Sequence, residues 1–303
     1  MDIYARPGRL ARISRRRRLN LQVMGRGGPT VILAAGFLGG PLDWGLVQPF
    51  LAQSVRTVSF DTAGLGFSDP GRLPRTTDAI VSDLHAALTT EGIGPPYVLV
   101  GHSAGGLRMR RFAALYPEQV VGMVLADSVS DDWEHRIYGG PCPELVAERV
   151  VFRRMLALAR LGQLTPETPD YRERVGLPRA ELTPAVNKAL HEMWTRPSYL
   201  QTAISEGQNI GGAGLPAPPP ASLGDLPLIV LSAARIADNG FIGDAGLAQA
   251  WFAMHDQLAS LSGRGARRVV DSRHNIPIER PTEVIAAIEE VVRMAEVQGS
   301  ATT

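Results

Sequence analysis

The sequence predicts an α/β fold in which helices flank both faces of a mostly parallel central sheet. Strand and helix patterns alternate along the chain after residue 28, which is typical of sheets built from successive strand–helix units. Most of the strand patterns are continuously apolar, which is typical of strands buried on both faces. The alternation breaks between Ser128 and Leu226, so we also expect an insertion in this core.

The first half of the chain supplies most of the predicted core. Apolar and polar residues alternate from Leu19 to Val23, which predicts an edge strand or a hairpin. The patterns that follow predict, in chain order, strands at Thr30–Ala34 and Val55–Phe60, a helix at Thr77–Leu88, a strand at Tyr97–Val100, a helix that ends near Pro117, and a strand at Val120–Ala126. Apolar spacings of three and four residues, followed by Gly or Pro, indicate the helices.

The second half of the chain contains the insertion and the end of the core. The insertion is predicted to be helical at Glu144–Leu161, Pro184–Trp194 and Tyr199–Glu206, and it closes with a loop that contains Pro216, Pro218, Pro219 and Pro220. Strands at Leu228–Leu231 and Arg268–Val270 and a last helix from Pro281 complete the core. We therefore expect an α/β core at 1–127 and 227–303, and a helical cap with a proline-rich return linker at 128–226.

The composition excludes several classes of protein. Lys and Arg together number 31 and Asp and Glu 30, so the charge gives no reason to expect a nucleic-acid partner. Cys142 is the only cysteine, which excludes an intrachain disulfide and cysteine-based zinc or iron–sulfur sites. No apolar run is long enough to span a membrane, and the arginines at 15–18 are not followed by the apolar stretch of an export signal. We expect a cytoplasmic protein without cofactor or metal; the sequence leaves its oligomeric state open.

The segment Gly101-His102-Ser103-Ala104-Gly105 fits the G-x-S-x-G pattern of a nucleophile elbow. It follows an apolar strand pattern and opens a helical one, which is the required strand–turn–helix context. The turn exposes the Ser103 hydroxyl above the sheet, and the helix N-terminus favours developing negative charge. Ser103 is therefore the predicted nucleophile.

A serine hydroxyl needs a general base, and His274 is the best placed of the six histidines. It follows the last predicted strand, at the edge of the sheet where Ser103 lies. We expect His102 to be directed away by the elbow, and the remaining histidines to be structural or at the surface. The acid that orients His274 stays open: Asp127, directly after a strand, is favoured over Asp238, which needs a longer loop to reach.

The predicted oxyanion hole combines two backbone N–H groups. One belongs to Ala104, the residue after the nucleophile. The other belongs to the Gly-rich loop after the strand Thr30–Ala34, where Phe37 is the first choice and Leu38 the alternative.

These motifs resemble the α/β-hydrolase fold superfamily, and within it the single-domain enzymes with a helical cap. The resemblance covers nearly the whole chain and depends on Gly36-Phe37, on Asp61–Asp69, on Val100–Gly106 and on His274 with the Ile276 and Pro281 that follow it. Many members have His-Gly where this chain has Ala35-Gly36, a change that keeps the backbone donors. Haloalkane dehalogenases of this fold carry their acid after the strand where Asp127 lies, and many other members carry it near Asp238.

The resemblance and the serine together imply hydrolysis of an ester, or of a related lactone, thioester or amide, through an acyl-enzyme. The substrate is then a small molecule with an apolar or medium-chain acyl group. Five aromatic residues of the cap are candidates to line its pocket or to form the cap's own core: Trp133, Tyr138, Phe152, Trp194 and Tyr199. Two alternatives stay open: a small-molecule receptor that keeps the fold with little turnover, and an interaction protein that uses the Arg-rich N-terminus.

Overall fold

The computed structural model describes residues 2–210, 222–239 and 245–301. Eight strands of this part of the chain join in one sheet. They are β1 (Arg9–Arg12), β2 (Arg18–Met24), β3 (Thr30–Ala34), β4 (Thr57–Phe60), β5 (Tyr97–His102), β6 (Val120–Ala126), β7 (Leu228–Ala233) and β8 (Gly265–Val270). The strands that the sequence predicts in the core are all present, with small differences at their ends.

The strand order across the sheet is β1-β2-β4-β3-β5-β6-β7-β8. Strands β1, β2 and β4 pair antiparallel, and every later pair is parallel. The parallel part brings the carboxyl ends of β3, β5, β6, β7 and β8 to one edge of the sheet. This arrangement confirms the predicted α/β fold with a mostly parallel central sheet.

The described helices connect the strands and cover the sheet. They are α1 (Gln48–Leu51), α2 (Thr77–Thr90), α3 (Ala104–Leu115), α4 (Trp133–Tyr138), α5 (Pro143–Arg160), α6 (Pro169–Arg174), α7 (Pro184–Trp194), α8 (Pro197–Asn209), α9 (Ala245–Ser260), α10 (Ile276–Glu279) and α11 (Pro281–Ala301). None of these described helices has an apolar stretch long enough to cross a membrane.

The core lies on both faces of the sheet. Along β3, Ile32 and Ala34 join one apolar cluster, whereas Val31 and Leu33 join the cluster on the opposite face. All five residues of β3 are buried. A strand buried on both faces favours apolar residues at most positions, which explains the apolar runs of the sequence.

Helices α4 to α8, which we call the inserted helices, lie between β6 and β7 in the chain. Helices α5 and α8 pack against each other, and Phe152, Tyr171 and Leu200 form part of an apolar cluster of their own. The prolines predicted to form the return linker, at 216 and 218–220, lie outside the described residues.

The N-terminal segment forms a hairpin in which β1 is the edge strand and β2 pairs inward with β4. Two arginines of the run at 15–18 form ion pairs with the core: Arg17 with Asp83 at 2.9 Å and Arg18 with Asp69 at 3.1 Å. The run lies in the hairpin turn and at the first residue of β2, which agrees with the predicted hairpin.

Candidate active site

Ser103 lies in the sharp turn between β5 and α3, with φ 53° and ψ −124°. The glycines on either side allow the close approach of strand and helix: a Cβ atom at Gly101 would lie 2.6 Å from the backbone of Gly106, and one at Gly105 would lie 2.2 Å from the carbonyl oxygen of Ala34. Residues with side chains do not fit at such distances. The G-x-S-x-G segment therefore has the strand–turn–helix geometry that a nucleophile elbow requires.

Three non-glycine residues of the described chain have a positive φ: Leu38 at 59°, Ser103 at 53° and Asp127 at 45°. Each lies just beyond the carboxyl end of a parallel strand, respectively β3, β5 and β6. Such conformations cost of order 1–3 kcal/mol each and persist only where the surrounding structure enforces them. Their concentration at one edge of the sheet marks that edge as the candidate site.

Asp127 and His274 are in direct contact. The Asp127 Oδ2 atom lies 2.7 Å from Nδ1 of His274, although the two residues are 147 positions apart in the chain. Asp127 follows β6 and is completely buried, whereas His274 follows β8 and keeps about a fifth of its side chain accessible. Asp238, the alternative acid, is exposed in a short 3-10 helix after β7. The geometry thus favours Asp127 as the partner of His274.

The second oxygen of Asp127 has its own donors, which the sequence did not indicate. Oδ1 accepts a hydrogen bond from the backbone N–H of Ala233 at 2.9 Å and another from the indole Nε1–H of Trp251 at 3.0 Å. Burial alone raises the pKa of Asp127, but the hydrogen bond and charge of His274 outweigh it and hold the pKa below its ordinary value. Asp127 is therefore an ionised and fixed partner for His274.

His102 contacts the backbone of the His274 segment, which is a structural contact of the kind expected for this histidine. Its Nε2 lies 2.9 Å from the carbonyl oxygen of His274 and donates the hydrogen bond, since a carbonyl can only accept. Burial and the neighbouring His274 lower the pKa of His102 to about 3, which keeps the ring neutral. His102 therefore helps to fix the backbone of His274.

Of the other four histidines, three have structural contacts and His135 is exposed. His255 is completely buried behind Asp127; its Nε2 donates to the Ser128 carbonyl at 3.0 Å, and its Nδ1 accepts from Ser232 at 2.8 Å. His85 stacks on Tyr116, His191 contacts the Tyr171 hydroxyl, and His135 lies on α4.

The loop after β3 lies against Ser103. A Cβ atom at Gly36 would lie 3.1 Å from Cβ of Ser103, so the loop backbone packs directly on the elbow. Phe37, Leu38 and Ala104 line the same cavity as Ser103 and His274. Within the described residues, the backbone N–H groups of these three residues donate no hydrogen bond to another backbone group.

The cavity around Ser103 has a volume of about 470 Å³. Its apolar lining residues include Phe37, Leu38, Trp133, Leu145, Trp194 and Ile210. Its charged lining residues are Asp43, Glu148, Arg174 and Arg179. Of the aromatic candidates, Trp133 and Trp194 line this cavity, Phe152 and Tyr199 pack among the inserted helices, and Tyr138 packs against Trp133. The expected pocket is thus only partly apolar.

A smaller cavity of about 160 Å³ adjoins the first and shares Leu38, Asp43 and Trp194 with it. Two carboxylates face this region: burial raises the pKa of both Asp43 and Asp61 to about 6. Across the described residues, no group of His, Cys, Asp and Glu side chains has the arrangement of a metal site.

Comparisons with known proteins show the family to which the chain belongs. The sequence model of the Alpha/beta hydrolase family matches residues 31–288, which is most of the chain. The chain therefore belongs to the alpha/beta hydrolase family, as its motifs indicate.

Two relatives illustrate the range of sequence similarity. An AB hydrolase superfamily protein of Gibberella zeae is 33% identical over 104 residues, which span 33% of this chain and 32% of that protein. The uncharacterized protein YqjL of Bacillus subtilis is 25% identical over 268 residues, which span 88% of this chain and 85% of that protein.

Two solved structures share the fold over nearly their whole length. An esterase from Thermogutta terrifontis has a TM-score of 0.65 at 22% identity and covers 96% of this chain and 99% of its own. The enol-lactonase from Burkholderia xenovorans LB400 also has a TM-score of 0.65, at 21% identity, and covers 93% of this chain and 99% of its own. At these identities the likeness shows the fold.

Proposed function

We propose that the protein is a serine hydrolase that cleaves carboxylic esters or related acyl compounds. The observation that carries this proposal is the contact of Asp127 with His274 at the edge of the cavity that contains the elbow residue Ser103. Membership of the alpha/beta hydrolase family supports hydrolysis as the type of reaction. The esterase and the lactonase among the similar structures are consistent with an acyl substrate.

In the proposed reaction, His274 takes the proton of the Ser103 hydroxyl as the oxygen attacks the substrate carbonyl. Because Asp127 contacts Nδ1, the opposite ring nitrogen, Nε2, is the atom that accepts the proton. Asp127 stabilises the imidazolium that forms. The backbone N–H groups of Ala104 and Phe37, with Leu38 as the alternative to Phe37, bind the oxygen of the tetrahedral intermediate.

The second half of the reaction uses the same groups. His274 gives its proton to the leaving alcohol, and the acyl group stays on Ser103. A water molecule then loses a proton to His274 and attacks the acyl carbonyl, which releases the acid and restores the serine. Every proton is returned within one cycle, so these residues complete the reaction without a cofactor.

The residues around the cavity suggest the chemical character of the substrate. Trp133, Leu145 and Ile210 suit a hydrocarbon group. Arg174 and Glu148, which are paired at 2.9 Å and also line the cavity, suit a polar group. We therefore propose a substrate that has both an apolar and a polar group, and an ester or lactone as its reactive group.

The inserted helices form the cap in this proposal, with domain limits at 128–226 as the sequence predicts. Trp133 on α4 and Trp194 on α7 line the cavity together with Ser103, so these helices bound the space that a substrate occupies. The cytoplasmic location expected from the sequence stays a prediction.

The test is hydrolysis of a series of p-nitrophenyl esters and of simple lactones by the wild-type protein and by Ser103→Ala. We expect turnover of at least one of these compound classes, and a loss of several orders of magnitude in kcat for the variant. A folded wild-type protein that hydrolyses none of them, or a variant with wild-type activity, would contradict the proposal. Tight binding of an ester or lactone without turnover would instead support a receptor.

A further inference from the structure

Two buried charged residues near the site have no part in the proposed mechanism. Arg108 lies on α3, five residues after the nucleophile, and is 3% exposed; Glu206 lies on α8, one of the inserted helices, and is 1% exposed. The Arg108 Nη2 atom donates to Oε2 of Glu206 at 3.1 Å. A buried ion pair is costly to desolvate, so its remaining hydrogen bonds indicate what it does.

The other donor nitrogen of Arg108 reaches the loop that carries the proposed oxyanion donor. Nη1 donates to the carbonyl oxygen of Ala35 at 3.2 Å. Ala35 lies two positions before Phe37, and the intervening Gly36 packs against Ser103. The guanidinium is planar, and its donors point in fixed directions. Arg108, bonded to Glu206 on one side, therefore fixes the orientation of the Ala35 carbonyl on the other.

Glu206 is itself fixed from both sides. Its second oxygen, Oε1, accepts a hydrogen bond from the Thr62 hydroxyl at 2.7 Å, so both carboxylate oxygens are bonded. The next residue of α8, Gly207, lies under the ring of Phe37: a Cβ atom at Gly207 would lie 3.2 Å from Cζ of Phe37. Helix α8 thus contacts the loop in two ways: indirectly, through Glu206 and Arg108, and directly, through the packing of Gly207 against Phe37.

We propose that Arg108 and Glu206 are positioning residues that hold the loop Ala35–Leu38 in the shape required for oxyanion binding, an inference that rests on the proposed function. Arg108 fixes the carbonyl of Ala35, and Glu206 fixes Arg108. Backbone donors must be aligned before the reaction to stabilise an oxyanion well. An inserted helix therefore supports catalysis from a position where it touches no reacting atom.

The main test removes the pair without leaving a buried charge. In Arg108→Met/Glu206→Met both side chains become apolar residues of comparable length, a change that is often neutral or stabilising for a buried ion pair. We expect the variant to stay folded, with some loss of Tm because the Ala35 carbonyl and the Thr62 hydroxyl each lose a partner. We expect its kcat for a p-nitrophenyl ester to fall by at least about ten-fold with little change in KM, because the hole acts on the transition state. If Arg108 and Glu206 only stabilised the fold, this folded variant would keep wild-type kcat.

Two further variants make the test independent of how the double variant folds. Arg108→Lys keeps a positive charge beside Glu206 but lacks the forked donors, so we expect the same fall in kcat. Glu206→Gln can accept from Arg108 through its oxygen and donate to Thr62 through its nitrogen, so we expect it to keep most of the wild-type kcat.

Arg75→Met is the matched control. Arg75 is also a buried arginine, and its side chain donates to the Asp83 carboxylate and to the Arg72 carbonyl. When Arg75 is replaced, Asp83 keeps Arg17 as its second partner. We expect wild-type kcat for this control. Wild-type kcat in both Arg108→Lys and the double variant would overturn the inference, whereas absence of Ser103-dependent turnover in the wild-type protein would overturn the proposed function itself.

Discussion

The indole Nε1–H of Trp251 donates a 3.0 Å hydrogen bond to Oδ1 of Asp127, the carboxylate oxygen that does not face His274. Trp251 lies on α9 and is completely buried. The two oxygens of Asp127 are thus held from opposite sides. The carboxylate cannot rotate away from the histidine without breaking these contacts.

We expect Trp251→Phe to lower kcat by about ten-fold, because a hydrogen bond to a charged group contributes about 1.5–3 kcal/mol. The matched control is Trp44→Phe, since Trp44 is equally buried and its indole N–H has no partner among the described residues. Steady-state ester hydrolysis measures both. Equal effects of the two substitutions would show that only the loss of ring volume matters.

The choice of acid predicts a large difference between two conservative variants. Asp127→Asn places a neutral amide opposite His274, so we expect kcat to fall by about 10⁴-fold, as in the serine protease triad. Asp238→Asn changes an exposed residue and leaves kcat within about twofold of wild type. Comparison of the two kcat values under identical conditions tests the assignment, which is wrong if Asp238→Asn has the larger effect.

Ser103 and His274 are expected to act as one unit. Each alanine variant then loses several orders of magnitude in kcat, and the double variant Ser103→Ala/His274→Ala loses no more than either single variant, because neither group contributes to acyl transfer without the other. Single-turnover kinetics with an activated ester measures this. Additive losses in the double variant would argue that the two residues act in separate steps.

Asp61 predicts a specific pH dependence of stability. Burial raises the pKa of Asp61 to about 6, although the hydrogen bonds from Phe67 and Asn20 act to lower it. The folded state therefore binds the proton of Asp61 more tightly than the unfolded state does. The resulting stabilisation is present at low pH and is lost as the pH rises from about 4 to 6. Asp61→Asn cannot titrate at this position, so we expect its free energy of unfolding not to fall in this way. Relative to wild type, its free energy of unfolding should therefore rise by up to about 3 kcal/mol over that range.

Urea unfolding at intervals between pH 4 and pH 7 measures the effect. The control is Asp69→Asn: the bond to Arg18 lowers the pKa of Asp69, so its contribution has the opposite sign and is lost as the pH falls. Parallel stability curves for wild type and Asp61→Asn would contradict the raised pKa.

The parts of the site that the sequence predicts are those that a local pattern encodes. The elbow at Ser103 depends on its own neighbours, with an apolar strand before it and a helix after it, and the loop containing His274 follows the last strand directly. The strands were predicted for a similar reason, since burial on both faces of the sheet leaves continuous apolar runs in the sequence.

The parts that the sequence leaves open depend on contacts between distant residues. Asp127 and Asp238 both follow strands in the required order, and the decisive contact of Asp127 with His274 spans 147 positions. Trp251 and Arg108 belong to no local motif, because their partners lie 124 and 73 positions away, at Asp127 and Ala35. Only the packed fold brings these side chains into contact with Asp127 and Ala35.

The central claim is that Ser103 is an activated nucleophile. Its most direct test is treatment of the folded protein with a fluorophosphonate probe, followed by mass spectrometry of the peptide that carries the adduct, with Ser103→Ala as the control. The proposed mechanism predicts one adduct, on Ser103, which the control lacks. A folded wild-type protein that stays unlabelled, or one labelled equally in the Ser103→Ala variant, would contradict it.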